Sequence, residues 1–231
     1  MEHARAAART IMVSATHKVF VTGGTGYVGS RLVPELLLRG HSVRALARPG
    51  SEARLPPGCS CVSGDALDAA TYQGLLDGAD TLIHLVGVPH PNPAKAAQFR
   101  SVDLVSAKAA LAAARYAGVR HLIYLSVAQP APLMHAYIAA RAEAEATIRA
   151  SGIDATLVRP WYVLGAGHRW PYALLPLYWL AERLPATRHD ARRLGLVTLD
   201  QLVSTLVRSV ESPPSGVRIV EVSEIRRAGR T

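Results

Sequence analysis

The 231 residues carry 26 Lys plus Arg against 17 Asp plus Glu, a formal net charge of +9, and 49% of them are hydrophobic. That apolar share excludes a disordered chain, and the length suits one domain with a substantial core. Two cysteines exclude a disulfide scaffold and fit a reducing cytoplasm. No basic run is interleaved with aromatics, so the charge points to a basic surface or a phosphorylated ligand rather than nucleic acid.

Residues 1–16 are rich in Ala and Arg, hold one acid, Glu2, and lack the apolar centre of a secretory signal. They read as a disordered extension, with Met12 as an alternative start. Lys18 to Arg48 is the unit that organises the chain. Val19 to Val21 is an apolar run suited to a buried strand, and Thr22 to Gly29 (TGGTGYVG) is a glycine-rich turn. Leu32, Leu36 and Leu37 then mark one face of a helix that stops at Gly40, and Val43 to Ala47 forms a second strand. Strand, turn, helix and strand in about thirty residues is the size of a βαβ crossover. The glycine spacing is G-x-x-G-x-x-G. Gly23 permits the tight turn, Gly26 lets backbone approach a pyrophosphate, and Gly29 lets helix pack close to strand. The helix N-terminus offers unpaired N–H groups and a positive dipole end.

Pro49 to Gly58 reads as a loop, and Cys59 to Ser63 as a third strand on which the two thiols share a buried face. Asp68 to Leu76 is predicted helical with Asp68 as its cap. Asp80 to Val86 is an apolar fourth strand, in which His84 is expected to be a hydrogen-bonded core histidine. A Pro-rich loop, Pro89 to Pro93, precedes a long helix, Ala94 to Ala117. Arg120 to Ser126 is the fifth strand, Leu133 to Ala150 a helix and Ala155 to Val158 the sixth strand. The alternation predicts an α/β doubly wound parallel sheet, with its ligand at the carboxyl ends of the strands. Residues 17–231 are expected to form that one domain, with 161–216 supplying most of a small substrate-side cap. Trp170 to Leu184 is apolar, aromatic and too short to span a bilayer. It reads as a pocket wall, with Trp170 to Leu180 as the candidate for docking on a protein or membrane surface. Thr198 caps a helix running to Val210, with Gln201 at capping-box spacing. Val217 to Val222 is a late strand, and the Arg-rich tail is expected to be loose. His90, His121, His135 and His168 show no metal spacing.

Thr22 to Gly29 resembles the short-chain dehydrogenase/reductase superfamily in its extended or atypical branch. The resemblance continues through Gly64-Asp65, His84 to Gly87, Tyr124 to Ser126, Tyr137-x-x-x-Arg141 and Leu157 to Pro160. It implies a Rossmann fold and a nicotinamide dinucleotide, held at Gly23, Thr25, Gly26, Tyr27, Val28 and Gly29. It further implies adenine contacts from Asp65 and the backbone of Ala66, and passage of the Gly87 backbone beneath the nicotinamide ribose. At the end of the second strand stands Arg48 rather than an acid. A guanidinium there suits the 2′-phosphate of NADP(H), with NAD(H) the second choice. The resemblance assigns catalysis to Ser126, Tyr137 and the residue four beyond the tyrosine. That residue is Arg141, where the family has lysine, and an arginine cannot readily give up a proton.

Three functions are consistent with these residues: an oxidoreductase acting on a small carbonyl or alcohol, a non-catalytic NADP(H)-binding sensor or accessory subunit, and a sugar-nucleotide epimerase or dehydratase. The absent lysine favours the second. The short C-terminal region argues against the third. The partners expected are the dinucleotide and one unidentified small molecule.

Overall fold

The computed structural model describes residues 16–165, 179, 183–184 and 193–229. In chain order its strands are β1 (Lys18–Thr22), β2 (Ser42–Ala47), β3 (Ser60–Ser63), β4 (Thr81–His84), β5 (His121–Leu125), β6 (Asp154–Arg159), β7 (Tyr162–Leu164), β8 (Leu196–Thr198) and β9 (Val217–Glu221). Seven of them form one parallel sheet in the order β3-β2-β1-β4-β5-β6-β9. This is the doubly wound arrangement expected from the sequence. The other two, β7 and β8, make a separate parallel pair that is not evident from the sequence pattern.

The alternation of strand side chains divides the core into two layers. Val19, Val21, Ile83, Ile123 and Val158 point to one face, where they meet helices α1 (Gly29–Leu38), α4 (Leu199–Glu211) and α5 (Val222–Ala228). Phe20, Leu82, Leu122, Tyr124 and Leu157 point to the other. That face is covered by α2 (Val105–Tyr116), the π-helical segment Phe99–Leu104 before it, and α3 (His135–Ala150). Strands covered on both faces are mostly apolar, which makes them legible in the sequence.

Thr198 caps α4 as predicted: its side chain accepts from the Gln201 amide, and the Gln201 side chain accepts from the Thr198 amide. This helix packs beside α1 in the layer over the sheet. Of 161–216, the described residues that reach the cavity are Trp161, Tyr162 and Val163.

Three local expectations need correction. Residues 68–76 are not one helix but two 3-10 turns, Ala69–Thr71 and Gln73–Leu76, although Asp68 caps the first as expected. Breaking at Tyr72 lets its ring stack on Phe20 (centroids 6.1 Å apart) while Leu76 also reaches the core. Cys61 is exposed on the edge strand and Cys59 only half-buried, so they do not share a buried face. The basic tail is not loose through residue 228. Val222, Ile225 and Ala228 lie at helical spacing and bury one face of α5. The expectations for residues 1–16 and for Trp170 to Leu184 fall outside the described residues, apart from Thr16, Trp179, Arg183 and Leu184. Trp179 is exposed, with the Arg183 guanidinium 3.5 Å from its ring centre. No helix among the described residues is long and apolar enough to cross a membrane.

Candidate functional site

A cavity of about 710 Å³ opens at the carboxyl ends of β1, β4 and β5. The glycine turn forms one wall through Gly23, Gly26, Tyr27, Val28 and Gly29. Gly23 has φ +80°, and Gly26 N–H donates to the Gly23 carbonyl at 3.0 Å, closing the turn. A Cβ on Gly29 would overlap the Gly23 carbonyl and come within 2.6 Å of Gly24 Cα. The start of α1 can therefore approach the Gly23-Gly24 backbone at the end of β1 only with glycine there. Its amino end, with its positive partial charge, faces the same cavity as the turn and suits a diphosphate.

The opposite wall rises from α3, where Tyr137, Arg141 and Glu145 stand one turn apart on one face. Tyr137 and Arg141 line the cavity. The Tyr137 ring meets Phe99 edge-on at 5.0 Å, and the Arg141 guanidinium lies 5.2 Å from its centre. Burial pushes the Tyr137 phenol above its ordinary pKa, against a downward pull from Arg141 and an upward push from Asp103. Arg141 is 5% exposed. Its Nη2 donates to Asp103 Oδ1 at 2.6 Å, its Nη1 donates to the Leu125 carbonyl, and its Nε is buried without a hydrogen-bond partner.

Ser126 also lines the cavity, but its hydroxyl donates to Glu145 Oε1 at 2.6 Å. Glu145 is 1% exposed and accepts further bonds from Arg149 and Arg159. Thus the structure brings Ser126, Tyr137 and Arg141 to one cavity while turning the serine hydroxyl toward a carboxylate. Gly87 lies on the cavity floor, and a Cβ there would overlap Arg141 Nη2. His84 sits beneath, hydrogen-bonded to Thr22 Oγ1 (2.7 Å) and Ser106 Oγ (3.2 Å), with burial pushing its pKa down to about 3. It is the core histidine expected.

Thr25, Arg48, Asp65 and Ala66 do not line this cavity. Arg48 follows β2 and is exposed, while its carbonyl accepts from the amide and hydroxyl of Ser51. The Asp65 carboxylate accepts from the Leu67 amide at 2.9 Å, fixing the turn after β3. Sequence reasoning missed Asp103 and Glu145. Glu145 had a signal, its place four residues beyond Arg141. Asp103 had none beyond being an acid in an apolar helical run. Among the described residues no group of three or more His, Cys, Asp or Glu is arranged to hold a metal.

The residues present fit a nicotinamide dinucleotide: a turn in which a side chain at Gly29 would collide with backbone, a helix N-terminus at the cavity wall, and a buried guanidinium nitrogen without a partner on the other side. Residues 23–169 match the family described as NAD(P)H-binding. Ceramide reductase of Caulobacter vibrioides is 30% identical over 217 residues, covering 92% of this chain and 66% of that protein. A second relative is the 4-hydroxy-2-methyl-3-oxo-4-farnesyl-3,4-dihydroquinoline-1-oxide ketoreductase of Stigmatella aurantiaca. It is 29% identical over 171 residues, covering 64% of this chain and 51% of that protein. The chain thus spans between about half and two thirds of the length of these two relatives. The Bordetella bronchiseptica enzyme WbmG, solved in complex with NAD, has the same fold: TM-score 0.67 at 20% identity, covering 94% of this chain and 77% of that one. A family match across more than half of the chain, beginning in that glycine turn, makes this protein a member of the NAD(P)H-binding family.

Proposed function

We propose that the protein is an NADP(H)-dependent oxidoreductase that reduces a small, largely apolar carbonyl compound, with Tyr137 as proton donor. One observation carries this reading: the glycine turn, Gly87 and the Tyr137–Arg141 pair meet in a single cavity. The two relatives named above, a reductase and a ketoreductase, support it.

The glycine turn and the amino end of α1 would hold the diphosphate, and Arg141, on the opposite wall of the cavity, would face the rest of the cofactor. A bound reduced nicotinamide supplies the hydride for the carbonyl carbon. The Tyr137 phenol is protonated at neutral pH, as an ordinary phenol is, and burial pushes its pKa further up. Its phenol gives that proton to the carbonyl oxygen and recovers it from solvent. Ser126 is an orienting group rather than the polariser of the carbonyl, because its hydrogen is donated to Glu145. The substrate wall is formed by Val88, Pro89, Pro91, Met134 and Trp161, which favours an apolar body. Among the described residues Arg141 is the only lysine or arginine lining the cavity, and Asp103 already pairs with it. That leaves little to hold a sugar diphosphate. The exposed Arg48 after β2 supports the preference for NADP(H) over NAD(H).

A non-catalytic NADP(H) sensor is the second reading, favoured because both terminal nitrogens of Arg141 are bonded inside the protein. NADPH consumption across a panel of apolar ketones and aldehydes separates the two. The reductase reading expects turnover in the wild type and a loss of about 100-fold or more in Tyr137→Phe with NADPH binding retained. Tight binding without turnover on any carbonyl would select the sensor.

A further inference from the structure

The segment Phe99–Leu104 is π-helical, a wide turn that is uncommon and gathers at functional sites. It sets two buried side chains behind the cavity lining: Phe99, against the Tyr137 ring, and Asp103, 1% exposed and bonded to Arg141 and the Val88 amide. Asp103 Oδ1 accepts from Arg141 Nη2 at 2.6 Å, and Asp103 Oδ2 accepts from the Val88 amide at 3.0 Å. A Cβ on Gly87 would stand 3.0 Å from Asp103 Oδ1, so the ion pair lies directly against the floor backbone. We propose that Asp103 is a positioning residue. One carboxylate oxygen clamps Arg141, the other pins the Gly87–Val88 backbone, and its charge offsets the guanidinium so that Tyr137 remains a proton donor. The role in proton donation rests on the reductase reading above, whereas the clamp and the charge balance do not.

The geometry explains how an arginine can serve where a lysine would be expected. A guanidinium is planar and always charged, so its direction must be set by acceptors at fixed angles. Asp103 and the Leu125 carbonyl take its two terminal nitrogens and fix that direction. Left unopposed, the cation would favour the phenolate of Tyr137. The groups facing Tyr137 are Arg141 on α3, Asp103 on the π segment and Tyr124 on β5. His84 on β4 stacks on Tyr124 at 5.9 Å and is neutral. His90 of the 87–93 loop, Tyr27 of the glycine turn and Tyr162 line the same cavity. Asp103 is the one carboxylate in this set, and its effect on the phenol is upward.

The test uses the full chain and a direct titration of Tyr137. It is read as the near-ultraviolet tyrosinate absorbance missing from the matched Tyr137→Phe background, so it does not depend on turnover. Asp103→Asn keeps the size but loses the charge and one of the two acceptors, because an amide nitrogen only donates. Its Tyr137 titration should fall by about one pH unit, a tenfold change in proton affinity. The alkaline limb of kcat should move with it. The double variant Asp103→Asn with Arg141→Gln removes both charges and should return the titration to near wild type. Arg141→Gln alone leaves the carboxylate unopposed and should titrate above the double variant, a comparison that stands even if Asp103→Asn does not fold. An Asp103→Asn titration equal to wild type, or Arg141→Gln and double variants that titrate alike, overturns the proposal. A wild type that reduces no carbonyl overturns the reductase reading and leaves the titration to decide the role of Asp103 in the charge balance.

Discussion

Gly29→Ala tests whether the close approach of α1 to β1 builds the dinucleotide site. The new methyl would lie 2.6 Å from both Gly24 Cα and Gly24 O and would overlap the Gly23 carbonyl. These neighbours are backbone, and contacts of this kind prefer about 3.5–4.0 Å, so the turn or the helix must move by about 1 Å. Overpacking on that scale costs about 1–3 kcal/mol, or about 2–12 °C in Tm for a domain of this size. The displaced groups are the turn and the helix N-terminus facing the cavity, so NADPH affinity should fall at least about tenfold, equivalent to about 1.4 kcal/mol. Gly40→Ala is the control. Gly40 has φ +82° and nothing within 4 Å of a built Cβ, so it should cost only the left-handed backbone penalty of about 1–2 kcal/mol. Fluorescence titration with NADPH and thermal unfolding read both variants. A folded Gly29→Ala protein that binds NADPH within about threefold of wild type would falsify the account of this turn.

The same structure makes three further predictions. Arg48→Ala should weaken NADPH binding about ten- to a hundred-fold while sparing NADH, as expected for losing one charge-assisted contact to the 2′-phosphate; competitive titration with both cofactors checks it, and an unchanged preference counts against Arg48. Glu145→Ala removes the shared acceptor of Ser126, Arg149 and Arg159 and should destabilise by about 3–5 kcal/mol in urea unfolding; a loss below about 1 kcal/mol would show that solvent already screens this network. Acid should destabilise the fold through His84 and His121, whose pKa values burial pushes from 6.5 down to about 3 and about 4. The unfolded chain takes up these protons first, so their contribution is intact above about pH 6.5 and is lost as pH falls toward about 3, by at most roughly 8 kcal/mol in all; His84→Asn should flatten part of that slope in denaturation midpoints measured against pH.

The fold was largely legible because its information is local and periodic. A strand buried on both faces is mostly apolar, and the glycine turn sits between such a strand and an amphipathic helix. Residues 68–76 misled because Tyr72 breaks the helical run to reach Phe20, a partner distant in sequence that no local pattern reveals. The cavity wall was legible where spacing carries it: Tyr137, Arg141 and Glu145 recur every four residues. Partnerships were not. Ser126 stands at the end of β5 as expected, but only the fold shows that its hydroxyl meets Glu145. Asp103 could not have been found by spacing, since a π-helical segment abandons the 3.6-residue period on which such arguments rest.

Arg141→Lys asks what the arginine contributes beyond its charge. A lysine keeps one positive charge on the same face of α3, and its ammonium can still pair with Asp103. It is a point charge on a flexible stem and cannot hold Asp103 and the Leu125 carbonyl in the fixed fork that the guanidinium supplies. Losing the bond to Leu125 should cost about 1–3 kcal/mol of stability. Catalysis should not fall in step. Tyr137 would still sit beside one cation offset by one carboxylate, and an ammonium freed from the second acceptor could reach a cofactor hydroxyl. Turnover is therefore expected to be kept or raised while urea unfolding shifts to lower denaturant. The two measurements must be made on the same preparation, because a fall in activity through unfolding would imitate a chemical loss. If the folded Arg141→Lys protein loses turnover as fully as Tyr137→Phe, the planar fork itself is required. The site would then be one that an arginine has reshaped rather than one that merely tolerates it.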